Sequence, residues 1–289
     1  MGEHCVTDRP TPIGEVPTGE MASLGSIDCY ISKPSDYPHS PSKLLLFLTG
    51  GTGIKSTNNQ LQADKYASEG FVVVMPDQFE GNPAPNSATD SVDDASPIIE
   101  KLKHGAADVV KSFRIDMWLA YHTPQRVLPV LHKVLESAHE EFADAVANGG
   151  GVYGVGYCFG AKYILLLAGE HKETLGWGKT EVDEERGITT TGPMIKAGAV
   201  AHGTLVEKED VAGVKVPMCL ICVENDSLFP DEVRRRGVEA LEKAEVEHEV
   251  KVYPKVPHGF AVYGDYEDPA IKQAQDVAFG QMLGWLQGH

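Results

Sequence analysis

The sequence lacks long hydrophobic runs, is poor in positive charge and contains few cysteines. No apolar stretch in its 289 residues approaches the ~20 that a membrane-spanning helix needs, so we expect no membrane association. Lys and Arg number 25 against 42 Asp and Glu, and the resulting charge of −17 disfavours nucleic acid and anionic membranes as partners. Five scattered cysteines, an odd number, argue against a disulfide framework and fit a reducing compartment.

Ligand and targeting patterns are missing as well. No spacing of His, Cys and carboxylates suggests a metal, and no G-x-G-x-x-G follows a predicted strand as a nucleotide site requires. We therefore expect no metal or other cofactor, and a small molecule as the partner of a monomer or homodimer. Residues 1–10 lack the apolar core of a signal peptide, which predicts a cytoplasmic protein.

Buried strands alternate with helices along the chain. Apolar runs predict strands at Gly25–Lys33, Lys43–Thr49, Phe71–Pro76, Ala197–His202, Met218–Val223 and Glu249–Tyr253. Helical spacing predicts helices at Gln60–Glu69, Val127–Ala147, Asp231–Ala244 and Pro269–Trp285. This order predicts an α/β fold with a mostly parallel sheet and helices on both faces. With no internal repeat and no linker, residues 1–289 are expected to form one domain.

Three segments interrupt the alternation. Residues 1–20 are rich in Pro, Gly and Thr and are expected to be irregular. The segment 82–125 lies between two strands, mixes loop-like and helical patterns, and is a candidate cap over a functional site. The segment 170–192 is polar, with an acidic run, and is expected to be an exposed insertion.

The sequence GYCFG at residues 156–160 carries the strongest chemical signal. It has the form G-x-C-x-G between a short apolar strand and an apolar helix. Glycines two residues before and after the central residue let a strand and a helix pack closely around a strained turn. The Cys158 thiol would then lie at a helix N-terminus, where the helix dipole favours thiolate. The pattern predicts the nucleophile elbow of an α/β-hydrolase, and the alternative is a structural Cys in a Gly-rich turn.

Two further strand ends carry residues that would complete a catalytic triad. One strand runs into Glu224 and Asp226, and the next runs towards His258. Reactive groups in open α/β sheets collect at the carboxyl ends of strands, and the order nucleophile, acid, base is that of α/β-hydrolases. We predict Cys158, Asp226 and His258 as the catalytic residues, and the spacing leaves Glu224 open as the rival acid.

With these residues the chain resembles the dienelactone hydrolase family, and in particular its fungal branch. The resemblance rests on GYCFGAK at 156–162, on Asp226 and on HGF at 258–260, and it extends from about Lys43 to Trp285. It implies an α/β-hydrolase fold and the cleavage of a lactone or ester by a cysteine nucleophile.

The resemblance also implies roles for individual residues. Cys158 would attack the carbonyl, His258 would take the thiol proton and later activate water, and Asp226 would orient His258. The oxyanion would lie against the backbone N–H groups of Phe159 and Gly51. Further residues are candidates for substrate contacts: Thr52, Trp118, Tyr121, His202, Phe260 and Val262. For His202 a loop or capping role is an equal alternative, and Trp118 and Tyr121 could instead anchor the segment 82–125.

The chain departs from the family at two positions. Bacterial dienelactone hydrolases carry a Glu in the loop after the first buried strand, where this chain has Gly50. They also carry an Arg that grips the substrate carboxylate, at the place of Val262. Neither Arg114 nor Arg126 has an obvious place at the elbow. We therefore predict a neutral substrate, aromatic or polyketide-like in character.

Two other functions remain as alternatives, and one further motif needs an interpretation. The same site could support isomerisation or C–C bond cleavage, or the fold could be a non-catalytic module that binds a small ligand. Cys219 and Cys222 form a C-x-x-C pattern, which is typical of redox or metal sites. Because residues three apart on a strand face opposite sides, we predict that both pack in the core instead.

Overall fold

A mixed sheet of eight strands runs through the part of the chain that the computed structural model describes, residues 7–85, 114–172, 180–183 and 188–289. The strands, with three shorter ones in a second sheet, are β1 (Glu20–Leu24), β2 (Ile27–Ser32), β3 (Lys43–Leu48), β4 (Phe71–Pro76), β5 (Val152–Tyr157), β6 (His171–Lys172), β7 (Thr180–Asp183), β8 (Ile188–Thr191), β9 (Ala197–Ala201), β10 (Met218–Val223) and β11 (His248–Tyr253). The large sheet has the order β1-β2-β4-β3-β5-β9-β10-β11. Strands β3, β4, β5 and β9 to β11 pair in parallel, while β1 and β2 form an antiparallel edge.

Helices cover both faces of this sheet. They are α1 (Thr57–Ser68), α2 (residues 114–121), α3 (Pro124–Glu141), α4 (Ala143–Gly149), α5 (Phe159–Leu167), α6 (Lys208–Ala212), α7 (Asp231–Lys243) and α8 (Pro269–Gly288). None of the helices in the described part of the chain is both long and apolar enough to cross a membrane.

The central strands are apolar throughout because both of their faces are buried. In β3, Leu44, Leu46 and Leu48 pack into one core with α3 and α5. Leu45 and Phe47 point to the opposite core, under α1 and α8. Continuous hydrophobic runs therefore identified these strands correctly, and the predicted α/β class with a mostly parallel sheet is confirmed.

The C-x-x-C pattern has the structural role that strand geometry predicts. Cys219 belongs to the core under α1 and α8, whereas Cys222 belongs to the core on the other face. The two thiols therefore lie on opposite sides of β10. Burial raises the pKa of each thiol to about 12, so both are protonated at neutral pH.

The structure differs from the sequence-based expectations in one segment and adds detail to two others. The long helix predicted over 127–147 is two helices, α3 and α4, because the buried Phe142 takes a non-helical conformation between them. The insertion at 170–192 contains the small sheet β6-β8-β7, whose strand β8 is rich in β-branched residues. Of the candidate cap, residues 86–113 lie outside the described residues, and 114–121 are helical. The single-domain organisation stays a prediction.

The parallel strands bring their carboxyl ends to one edge of the sheet. The loops that follow β3, β5, β9, β10 and β11 meet there, and they contain Gly50, Cys158, Thr204, Asp226 and His258 respectively. The short helix α6 follows the Thr204 loop and packs against α7 through Val211 and Gly237. The packing of α6 on α7 therefore supports one wall of this edge.

We expect Gly237→Ala to destabilise the protein by about 1–3 kcal/mol through overpacking. A Cβ at this position would lie 2.5 Å from the Cβ of Val211. Gly284→Ala is the matched control, because it is also helical but a Cβ there meets nothing within 4 Å. That change should raise stability by about 0.5–1 kcal/mol through helix propensity. Urea unfolding of both variants measures the change in the free energy of unfolding. Equal changes in the two variants would contradict the close packing at Gly237.

Candidate active site

Cys158 occupies a strained turn between β5 and α5. Its φ of +51° and ψ of −113° lie in a region that non-glycine residues seldom adopt. A Cβ on Gly156 would lie 2.7 Å from the carbonyl oxygen of Gly160, and a Cβ on Gly160 would lie 2.4 Å from that of Leu48. The Cys158 N–H donates to the Ala201 carbonyl at 3.1 Å and fixes the turn to β9. Both glycines of the motif are therefore required for this conformation.

His258 lies against a buried carboxylate. Its Nδ1 is 2.6 Å from Oδ2 of Asp226, and the other carboxylate oxygen accepts the Leu228 N–H at 2.9 Å. Asp226 is buried, whereas Glu224 is exposed to solvent. The acid in contact with His258 is therefore Asp226, which the spacing alone left undecided.

Thr204 stands between the cysteine and the histidine. Its Oγ1 lies 3.1 Å from Sγ of Cys158 and 3.2 Å from Nε2 of His258. Its N–H donates to the Cys158 carbonyl at 3.0 Å, which holds the hydroxyl in place. The sequence analysis missed this residue. The signal was weak, a threonine three positions beyond the end of β9.

The surroundings of His258 stabilise its charged form. Burial alone would lower the pKa of His258, but hydrogen bonds with the Asp226 carboxylate and with the Cys158 thiol outweigh it. The pKa of His258 rises to about 9 as a result. At neutral pH the imidazole therefore carries a proton.

His202 lies beneath the histidine of the site. It is fully buried, and its ring centroid is 5.0 Å from that of His258. Neither ring nitrogen has a hydrogen-bond partner among the residues that the structure describes. Burial, and then the nearby charge of His258, hold the pKa of His202 well below its usual value. His202 is therefore a neutral residue that supports the His258 ring.

The two backbone N–H groups that the sequence analysis predicted as oxyanion donors are those of Phe159 and Gly51. The Phe159 N–H is at the N-terminus of α5, and the Gly51 N–H is in the loop after β3. Within the described ranges neither N–H donates to another group. A Cβ on the neighbouring Gly50 would lie 3.2 Å from the Cβ and 3.7 Å from the Sγ of Cys158. A side chain at that position would therefore reach the nucleophile.

The pocket over Cys158 is built from three parts of the chain. Besides Cys158 its lining comprises Gly50, Thr52 and Asn59, then Gly259, Val262 and Tyr266, and finally Thr7, Asp8 and Arg9. Thr52 and Val262, which were predicted to contact the substrate, therefore lie in the pocket. Arg9, which the sequence analysis did not consider, also lines the pocket. Sequence analysis placed Arg9 in a segment expected only to be irregular.

The other candidates for substrate contacts lie outside this lining. Trp118 is buried, and its ring centroid lies 5.1 Å from that of Phe159 with the two rings tilted by 57°. Its Nε1 donates to the Asn82 carbonyl at 2.7 Å. Tyr121 is 48% exposed, under the guanidinium of Arg126. Phe260 and His202, both fully buried, pack on each other behind His258. In the described residues these four therefore shape the surroundings of the site, and no cluster of His, Cys and carboxylates suits a metal.

The model of the dienelactone hydrolase family matches residues 27–177 and 187–289. The chain belongs to that family. It is 29% identical to the hydrolase pyvD of Aspergillus violaceofuscus, over 93% of this chain and 89% of the relative. It is 26% identical to dienlactone hydrolase 1 of Gibberella moniliformis, over 93% and 87% of the two chains. Family membership makes the protein a hydrolase that acts on ester bonds.

Solved structures support the fold. A protein assigned as a dienelactone hydrolase from Klebsiella pneumoniae superposes with a TM-score of 0.64 at 17% identity, covering 94% of this chain and 99% of the other. A thermophilic esterase from Thermogutta terrifontis superposes with a TM-score of 0.60 at 14% identity, covering 93% of each chain. At these identities the likeness shows the α/β-hydrolase fold alone.

The contacts of Thr204 predict that its hydroxyl assists proton transfer between Cys158 and His258. Thr204→Val keeps the shape and removes the hydroxyl, so kcat/KM for an ester should fall by about tenfold, the value of one hydrogen bond. Thr204→Ser keeps the hydroxyl and should retain most of the activity. Steady-state kinetics and thermal melts of both variants test this. A fully active Val variant would show that the hydroxyl has no part in the reaction.

The raised pKa of His258 predicts the alkaline limb of the pH profile. The charged imidazole can protonate a leaving alkoxide, and it loses that proton as pH rises through about 9. We expect kcat/KM for an alkyl ester to decline through this range. Alkylation of Cys158 by iodoacetamide should stay fast there, because the thiolate persists. Asp226→Asn should move the limb to lower pH, and a limb that does not move would contradict the assignment.

Proposed function

We propose that this hydrolase cleaves a lactone or ester through a thioester formed on Cys158. His258 acts as acid and base, and Asp226 orients it. The observation that carries the proposal is the continuous path of contacts from Asp226 through His258 and Thr204 to the Cys158 thiol. This path lies at the carboxyl edge of the sheet, where α/β folds place reactive groups.

Acylation starts from the charged pair in which the Cys158 thiol has already given its proton to Nε2 of His258. The thiolate then attacks the carbonyl carbon, and a C–S bond forms as the carbonyl electron pair moves onto oxygen. The N–H groups of Phe159 and Gly51 donate to that oxyanion. When the oxyanion collapses, the C–O bond breaks and His258 returns its proton to the leaving alcohol. In a lactone that alcohol stays attached to the acyl chain.

Deacylation repeats these steps with water as the nucleophile. His258, now neutral, takes a proton from water as the hydroxide oxygen attacks the thioester carbonyl. The tetrahedral intermediate expels the Cys158 thiolate, and the product is a carboxylic acid. Protonated His258 and the thiolate then restore the starting pair.

The lining of the pocket gives little support to a neutral, aromatic or polyketide-like substrate. Among the described residues of the lining Tyr266 is the aromatic one, and Arg9 brings a positive charge. Trp118, which could have formed an aromatic wall, is used in packing against Phe159. The charge of the pocket is therefore a better guide to the chemistry of the substrate's acyl group than its aromatic residues are.

The proposed triad predicts how strongly the substitution of each residue lowers ester turnover. Cys158→Ala should abolish ester turnover, and His258→Ala should lower kcat by about 10³-fold or more, as in other triads. Asp226→Asn should cost less, because a neutral side chain still contacts the ring. Glu224→Gln is the matched control and should have no effect, since Glu224 is exposed. In wild type, mass spectrometry after rapid quenching should detect an acyl group on Cys158.

The competing functions give different outcomes in the same experiments. Isomerisation or C–C cleavage would proceed without an acyl group on Cys158, and a binding module would show no turnover. Full turnover in Cys158→Ala would refute the nucleophile. A crippled Glu224→Gln with a mild Asp226→Asn would refute the choice of acid.

A further inference from the structure

His202 is a buried polar side chain that the catalytic steps do not use. It lies directly after β9 and is fully buried. Neither of its ring nitrogens has a hydrogen-bond partner among the residues that the structure describes. An imidazole always carries at least one N–H group, and burying such a group without an acceptor destabilises a fold. An apolar residue of similar size would avoid this cost, so packing alone does not explain a histidine here.

The backbone does not require a histidine at this position either. His202 has a φ of +37°, a conformation that Asn, Asp and His adopt more often than other non-glycine residues. An asparagine would therefore suit this backbone as well as the histidine does. The His202 N–H donates to the Ile221 carbonyl at 2.8 Å and ties the turn to β10. Because the main chain makes this bond, it leaves the identity of the side chain open.

Three rings lie around the His202 side chain. The ring centroids of Tyr157 and Phe260 are 6.0 Å and 6.1 Å from that of His202, whereas the centroid of His258 is 5.0 Å away. The planes of the two imidazoles are inclined by 61°, an edge-to-face arrangement. Tyr157 is neutral, because burial holds its pKa well above the usual value, and its hydroxyl pairs with that of Tyr66 at 2.8 Å. Among these neighbours the charge that faces His202 is therefore that of His258.

The two histidines differ in charge at neutral pH. Burial disfavours the charge of His258, but hydrogen bonds with Asp226 and Cys158 outweigh it, and burial together with that charge keeps His202 neutral. A neutral imidazole has one N–H and one nitrogen with a free lone pair. No hydrogen bond fixes which nitrogen of His202 holds the proton, so the field of the neighbouring cation selects the tautomer. The tautomer whose lone pair is nearer to His258 has the lower energy.

We propose that His202 is a positioning residue that stabilises the charged form of the His258 ring through this lone pair. The assignment rests on the proposed hydrolytic function, in which charged His258 protonates the leaving alcohol. It gives His202 a part in the reaction without contact with the substrate, unlike the substrate contact for which the sequence made it a candidate. The titratable groups that face His258 are then the Asp226 carboxylate, the Cys158 thiol and the His202 ring.

The first experiment compares two replacements of His202 through the alkaline limb of the pH profile. His202→Phe keeps a ring and removes the lone pair, whereas His202→Asn keeps a polar acceptor and removes the ring. Because charged His258 loses its support, His202→Phe should move the limb of kcat/KM for an alkyl ester from about pH 9 to lower pH, by about 0.5–1 unit. His202→Asn should move it less. Thermal melts of both variants report whether the fold is intact.

A matched control and a packing role give different results. His122→Phe makes the same replacement at another buried histidine, whose ring lies 4.6 Å from that of Trp118 and 5.3 Å from that of Phe79. Its limb should coincide with that of wild type. If His202 only filled space, His202→Asn would leave a cavity and would have the larger effect of the two replacements. An unmoved limb in His202→Phe, or a larger shift in His202→Asn, would overturn the proposal.

The second experiment uses the wild-type protein and requires no turnover. Nitrogen NMR of isotope-labelled histidines gives the protonation state of each ring. His202 should stay neutral between about pH 5 and 10, and its two nitrogen signals should shift as His258 loses its proton near pH 9. His258→Ala should abolish that shift. Signals of His202 that do not respond to the titration of His258 would refute the proposal. Failure of the hydrolytic function is seen separately, as turnover that survives in Cys158→Ala.

Discussion

The close approach of α5 to the end of β3 is the constraint on which the site depends. No Cβ fits at Gly160, because it would lie 2.4 Å from the Leu48 carbonyl. A helix that begins so close to the sheet can be reached from β5 only through a sharp turn, and Cys158 takes the positive φ of that turn. The thiol consequently points to the edge where four other strands end. The same turn leaves the Phe159 N–H beside it, so the proposed nucleophile and the proposed oxyanion donor belong to one piece of backbone.

The sequence predicted the sheet and the elbow well because both depend on local patterns. A parallel strand buried on two faces must be apolar throughout, and a turn as tight as the one at Cys158 must have glycine on both sides. The parallel order of the strands was then enough to predict that Asp226 and His258 lie near the elbow. The preference for Asp226 over Glu224 needed the structure, since it depends on which carboxylate is turned inward after the strand has ended.

What sequence analysis missed lies on segments whose positions are set by distant contacts. Thr204 has no periodic pattern, and its place between two reactive atoms follows from a loop fixed by the Cys158 carbonyl. Arg9 lies far from the motifs in the chain, and long-range hydrogen bonds bring it to the pocket. The net charge of −17 did not indicate a cation there, because net charge describes the surface as a whole and not one cavity. The helix break at Phe142 likewise came from core packing that overrides helical periodicity.

The position of the base in the chain has a consequence for biosynthesis. His258 follows Cys158 by 100 residues, so at about 5–20 residues per second a ribosome finishes the elbow roughly 5–20 s before it adds the histidine. During that interval the thiol has neither its proposed proton acceptor nor the pocket wall that depends on Asp265 and Tyr266. The proposed catalytic pair is therefore assembled only after residues 258–266 have been added.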